Sequence, residues 1–285
     1  MTLGVLWVRS VGGIRELVVA SDSRLSGGQY WDSNPKIMLL PRSDCVLSFA
    51  GATYDAYPLM LQAWNAINMH PPATDRGMDI SDLKGHLIRV FNHSRTFISG
   101  LPRGQTAPDD PEAIFALSGY SWRTRRFHIW KLHFDKNLSA YTFRPTKAWA
   151  GQKADAYKLV AYVGDEPAIQ DAKQRLVDLL RTREKLSSGS LNMEPFEVLR
   201  DIIRSQKFPS VGGPMQLVKV YEHANSIPIG VYWPNRESGN VSVLGRPLMD
   251  YERISWGVID PDAPERARPM GWDPKTEGPS SAPPL

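Results

Sequence analysis

Two hydrophobic periods alternate along the chain, and the switches between them mark its elements. Residues 2–9 (Thr2-Leu3-Gly4-Val5-Leu6-Trp7-Val8-Arg9) make a nearly continuous apolar run rich in strand formers. Val11-Gly12-Gly13 supplies a turn, and a second run over 15–23 returns, so the pair predicts a β-hairpin. That hairpin sets the end of its second strand, at Asp22, beside Thr2. Ser26-Gly27-Gly28 reads as a loop, 36–40 as a short strand, 41–44 as a turn and 45–49 as a further strand. The period then lengthens. Leu59, Trp64 and Ile67 share one face of a helix over 56–68, with Thr53 or Asp55 as its cap. Leu83, Leu87, Val90 and Phe91 do the same over 82–97, with Ser81 as cap. Polar loops are expected at 71–79 and 100–111, and strands at 113–118, 127–134 and 139–143. Helices follow over 153–163, 166–184 and 195–206, and strands return at 215–221 and 227–232. From Asp260 onward the chain is dense in proline and poor in core-forming residues.

Composition narrows the class. A chain of 285 residues with 42% hydrophobic content can bury a substantial core. One domain is expected over 1–259, with 260–285 as a disordered or surface-draped tail. No apolar run approaches the roughly 18 residues of a membrane-spanning helix, and the first residues have no basic and apolar leader pattern. Cys45 is the single cysteine, so no internal disulfide is expected, and a cytoplasmic setting fits. The net charge of +4 is mild, and the tight cluster Arg123, Arg125 and Arg126 reads as a hairpin turn rather than a nucleic-acid patch. His86 and His93 share a helical face with no carboxylate to complete a metal set. No metal, cofactor, nucleic acid or membrane partner is therefore expected.

Candidate chemistry concentrates near the start. Removal of Met1, which a small second residue permits, would leave Thr2 with a hydroxyl and a free α-amine. A nucleophile and its base would then share one residue. Asp22 and Lys36 are the charged partners such a site needs, and Gly51 would let a backbone N–H approach a substrate carbonyl. Each also has a structural reading: Thr2 as an ordinary strand end, Asp22 as a turn residue, Lys36 as a surface lysine beside Pro35, Gly51 as a strand-to-helix glycine.

The ordered set Thr2, Ala20-Ser21-Asp22-Ser23-Arg24, Lys36 and Ala50-Gly51 before a helix resembles the β-type subunits of proteasomes. It resembles equally their bacterial relatives among the N-terminal-nucleophile hydrolases, the peptidase of the HslVU protease and the Anbu proteins. The resemblance covers residues 2–67 and returns at Gly212-Gly213. It implies an α+β fold, a four-layer αββα sandwich of the N-terminal-nucleophile hydrolase type. It also implies a threonine peptidase acting on peptides or unfolded protein and a homo-oligomeric ring; the chain carries no P-loop motif, so any ATP-driven unfolding would have to come from a separate ATPase partner. A catalytically inactive assembly subunit and a small-molecule amidase remain alternatives. In that family a Ser in a Gly-Ser-Gly turn and an Asp/Ser pair near the last helix complete the site. The turn maps here to Ala150-Gly151-Gln152-Lys153, without a Ser. The pair maps to Ser210, one residue out of register, with Asp201 as the nearest upstream acid.

Overall fold

The computed structural model describes residues 2–147, 158–188, 190–223 and 225–272. Strands β1 (Leu3–Val11) and β2 (Ile14–Ser21) form the expected hairpin, with Gly4 opposite Ser21 and Val11 opposite Ile14. Ser26–Gly28, expected as a loop, lies in a small ribbon of β3 (Leu25–Gly27) and β4 (Gln29–Trp31). Next come β5 (Ile37–Leu39) and β6 (Cys45–Gly51), then helix α1 (Thr53–Asn68), the single turn α2 (Pro71–Thr74) and α3 (Ile80–Arg95). Strands β7 (Ala113–Ser121), β8 (Arg126–Asp135) and β9 (Ala140–Pro145) form a meander. They are followed by β10 (Val160–Gly164), α4 (Glu166–Thr182), α5 (Glu194–Ser205), β11 (Gln216–Tyr221) and β12 (Ser226–Pro228). A C-terminal group closes the chain: β13 (Gly230–Tyr232), β14 (Val241–Val243), β15 (Arg246–Pro247), β16 (Val258–Asp260) and β17 (Ala263–Arg268).

The fold is α+β. One sheet runs β10-β1-β2-β11-β12, a second β5-β6-β7-β8-β9, and a third β15-β14-β13-β16-β17. Strand β1 reads apolar at almost every position because both of its faces are buried. Leu3, Val5 and Trp7 face a core shared with Ala168, Ala172 and Leu176 of α4 and Phe196, Leu199 and Ile202 of α5. Leu6 and Val8 face the opposite way, into a core shared with Val46, Ala50, Ala116 and Ile129 of the second sheet. The second sheet's other face packs Leu47, Phe49, Phe115 and Leu117 against Ala56, Met60 and Ala63 of α1 and Leu83, Leu87 and Phe91 of α3. Each leucine, isoleucine, valine, methionine or phenylalanine among them, fully buried, contributes about 1.5–3 kcal/mol. Among the described residues, no helix is long and apolar enough to cross a membrane.

Several elements differ from expectation, each for a local reason. Residues 160–163, expected at the end of a helix, belong instead to β10 and pair with β1, where Leu3 stands opposite Gly164; the rest of that predicted helix lies largely outside the described residues. Helix α3 is capped by Asp79, whose carboxylate accepts from the Ser81 N–H at 2.9 Å, so Ser81 lies inside the helix. Neither Thr53 nor Asp55 caps α1: Ala52 holds that position, and Asp55 accepts from the Glu112 N–H. The run 227–232 divides between two sheets at Ile229. The stretch from Asp260, expected to be a tail, first forms β17 as an edge strand; residues 273–285 lie outside the described ones. The Arg123–Arg126 cluster sits in the β7–β8 turn, with Arg123 paired to Asp82.

Arg9 ties this C-terminal sheet to the hairpin. Its guanidinium is buried and donates to the Glu16 carboxylate (2.6 Å), to Asn192 Oδ1 (2.5 Å) and to the Glu265 carbonyl of β17 (2.8 Å). Arg9→Ala leaves Glu16 paired with Lys219 at 3.0 Å but removes the donor from the other two acceptors. The expected loss is about 3 kcal/mol, read as a fall in Tm, with earlier proteolytic cleavage near 263–268. An unchanged Tm would contradict this account of the clamp.

Candidate active site

The site forms where the hairpin's open end meets the first turns of two other segments. Strand pairing brings Asp22 to Thr2: the Leu3 N–H donates to Asp22 Oδ1 at 3.1 Å, and the Asp22 N–H returns to the Leu3 carbonyl at 3.3 Å. Two further backbone donors hold the second carboxylate oxygen, the Arg24 N–H (3.2 Å) and the Gly212 N–H (3.1 Å). Lys36 enters from just before β5. Its ammonium donates to Asp22 Oδ1 at 2.9 Å and also to the Thr2 hydroxyl oxygen. Lys36 and Asp22 are both 0% exposed and Thr2 is 2% exposed, so water does not screen the cluster.

Burial pushes the Lys36 ammonium below its ordinary pKa, while the Asp22 carboxylate pulls the other way. Asp165 and Asp32 add weaker pulls in the same direction as Asp22. Asp32 is itself committed to Arg24 through two bonds of 2.7 and 2.8 Å, and that contact holds its carboxyl below the usual range.

Gln216, the first residue of β11, was invisible to motif reasoning. Its side-chain carbonyl accepts from the Lys36 N–H at 2.9 Å. Its amide donates to the backbone carbonyls of Asp22 and Asn34, both at 2.9 Å. It therefore locks the main chain of both charged residues, 180 residues away at Lys36 and 194 at Asp22. A lone Gln opening a strand carries no signal of this kind.

Gly51 ends β6 at φ +112°, and a Cβ there would lie 1.8 Å from the Glu112 carbonyl oxygen. The close approach alone requires glycine. The next residue's N–H bonds to Glu112 at 2.8 Å. By ladder alternation the Gly51 N–H then points away from β7, to the side where Phe49 N–H bonds the Lys36 carbonyl at 3.1 Å.

Residues 150–153, where the family's Ser-containing turn was placed, lie outside the described residues. Asp201 is exposed and pairs with its neighbour Arg200, far from the role considered for it. An acid that does lie beside Thr2 is Asp165, in the turn between β10 and α4. Its N–H donates to the Thr2 carbonyl at 2.9 Å, and Ser210 donates its hydroxyl to the Asp165 carboxylate. The signal was present as Gly164-Asp165-Glu166-Pro167: an apolar run closed by glycine, a capping residue, then a proline at the helix start. Among the described residues no group of three or more His, Cys, Asp or Glu is placed to hold a metal ion.

The sequence matches no family profile and no curated protein. Among solved structures, the fold is similar to that of a Gly-1 mutant of Anbu from Hyphomicrobium sp. strain MC1. The TM-score is 0.54 over 80% of this chain and 85% of that one, at 13% identity. At that identity the likeness concerns the fold.

The two charged partners differ in how they are satisfied, which sets an order of stabilities. Lys36→Met leaves Asp22 with three backbone donors, whereas Asp22→Ala leaves the Lys36 charge buried without its carboxylate. Urea unfolding is expected to place Asp22→Ala about 3–5 kcal/mol below wild type, with Lys36→Met clearly less affected. The reverse order would contradict the assignment of Asp22 as the counter-charge.

Proposed function

We propose that the chain is a threonine-type N-terminal-nucleophile hydrolase that cleaves peptide amide bonds through Thr2 once Met1 is removed. The observation that carries the reading is the fully buried Lys36 ammonium donating to both the Thr2 hydroxyl and Asp22. A surface lysine would serve neither purpose. The fold's likeness to Anbu supports the same direction. So does the stacking of cores in the order helices, sheet, sheet, helices, which fits a four-layer αββα sandwich.

In this mechanism the α-amine of Thr2, with an ordinary pKa of about 7.7–8.0, takes the hydroxyl proton directly or through a water. Oγ1 attacks the scissile carbonyl, and the Lys36 charge favours the developing alkoxide. The Gly51 N–H donates to the tetrahedral oxyanion. Collapse breaks the C–N bond, and the leaving amine takes the proton from the α-ammonium. The acyl group remains as an ester on Thr2. A water deprotonated by the same amine then attacks the ester and returns the free threonine.

Incubation with an epoxyketone probe, which needs both the hydroxyl and the free amine, tests this by intact mass. The expected result is loss of Met1 and one adduct per chain, absent in Thr2→Ala. Lys36→Ala is expected to slow adduct formation by about 10³-fold or more. Met1 removed with no adduct would overturn the enzyme reading in favour of an assembly subunit.

A further inference from the structure

Away from Thr2, the C-terminal sheet carries a cavity of about 1190 Å³. Its walls are the turn after β13, the connection 248–257 that leads into β16, and residues 269–272 after β17. Three aromatic rings, Tyr232, Trp256 and Trp272, line it together with Met249 and Ile254, and Met249 is 54% exposed. The indole N–H of Trp256 is buried and has no hydrogen-bond partner among the described residues. A buried donor left unpaired is costly and calls for an acceptor. The cavity beside it leaves the indole room to turn toward one.

The charges on the wall are divided. Arg253 is committed to the main-chain carbonyls of Asp250 (2.7 Å) and Glu252 (2.8 Å), and Arg236 donates to the Trp272 carbonyl. The Asp260 carboxylate accepts from the Asp262 N–H at 2.9 Å. The carboxylates of Glu237 and Asp250 have neither a hydrogen bond nor an ion pair among the described residues. Aromatic rings, an unpaired indole donor and unpaired carboxylates suit one kind of ligand, a proline-rich segment that carries a cation. Its prolines lie on the rings, a carbonyl between them accepts from the indole, and the cation meets the acids.

A segment of that composition starts at the wall itself. Trp272 is pinned there: the guanidinium of Arg268 lies 3.2 Å from its ring centre and that of Arg236 5.5 Å. Its N–H bonds the Pro269 carbonyl at 3.2 Å, and the Gly271 N–H bonds the Tyr232 hydroxyl at 3.3 Å. Residues 273–285 follow directly, with Pro274, Pro279, Pro283, Pro284 and Lys275. A stretch of that length spans about 40 Å in the polyproline II conformation, so its reach covers the cavity.

We propose that the cavity receives the chain's own residues 273–285, with Lys275 against Glu237 and Asp250 and a proline-flanked carbonyl on the Trp256 indole. Tethering favours this occupant over a free peptide. A short link holds the segment at an effective concentration on the order of 1 mM, so a contact with a Kd of about 0.1 mM is filled about ten times as often as it is empty. The proposal does not depend on the chemistry of Thr2.

Trypsin cleavage of the full chain after Lys275, followed by intact mass, reads that occupancy. Where opening is fast relative to cleavage, the rate tracks the open fraction, so cleavage is expected to run about tenfold slower than in a synthetic peptide of residues 270–285. Combined Pro279→Ser, Pro283→Ser and Pro284→Ser, which changes no described residue, is expected to restore the peptide's rate. So is Trp256→Phe, which keeps a ring and removes the donor; the proline variant decides alone if Trp256→Phe does not fold. Wild-type cleavage at the peptide's rate overturns the proposal, as does protection unchanged in the proline variant. Protection lost on dilution would seat the segment of a second copy there and also overturns it. So does binding of a fluorescein-labelled 273–285 peptide to the wild-type chain while its own segment is cut at the free rate, which would make the cavity a site for another protein's proline-rich segment.

Discussion

A lysine with no exposed surface, held between a carboxylate and a threonine hydroxyl, constrains everything around it. Moving an ammonium out of water costs several kcal/mol even after relaxation, so the site needs oxygens aimed at it from fixed directions. Asp22 is fixed by three backbone N–H groups drawn from β1, from its own turn and from the loop at Gly212. Gln216 then fixes the main chain on either side. The cluster is thus an outcome of how β1, β2, β5 and β11 meet. A loose sheet register would leave a charge buried without its counter-charge.

The same constraint explains why the strands near the site tolerate so little. Strand β1 is buried on both faces, and a one-residue slip would exchange Thr2, Gly4 and Leu6 for Leu3, Val5 and Trp7 between the two cores. Gly51 and Gly164 occupy positions where another residue's carbonyl sits within bonding distance of a Cβ. At both, chain direction changes beside the cluster, once into α1 and once into α4. The site is therefore built at two strand-to-helix turns and one hairpin end, with rigid elements behind each.

Much of this was legible in the residues because it is local. The hairpin follows from two apolar runs and a Val-Gly-Gly turn, and the placing of Asp22 against Leu3, next to Thr2, follows from the hairpin. Lys36 and Gly51 came from the ordered motif. What escaped was non-local or ambiguous in period. Gln216 acts on Lys36 only because β11 lies beside β2 in the sheet, which no spacing reveals. The short apolar run at 158–164 sits directly before a helix, and a run that short has the same pattern in a strand as in a buried helix; only its closing glycine marks a strand end. Proline density disguised β17, because an edge strand accepts Pro264 where a central strand would not.

The central claim is that Lys36 and Asp22 make the Thr2 hydroxyl a nucleophile, with its own amine as base. A crystal structure of the purified protein soaked with a peptide aldehyde tests this most directly. The account predicts a new amino terminus at Thr2, a covalent bond from Thr2 Oγ1 to the aldehyde carbon, and the resulting oxygen within hydrogen-bond distance of the Gly51 N–H. A structure in which Met1 still precedes Thr2, or in which the processed threonine stays unmodified at saturating aldehyde, would contradict it.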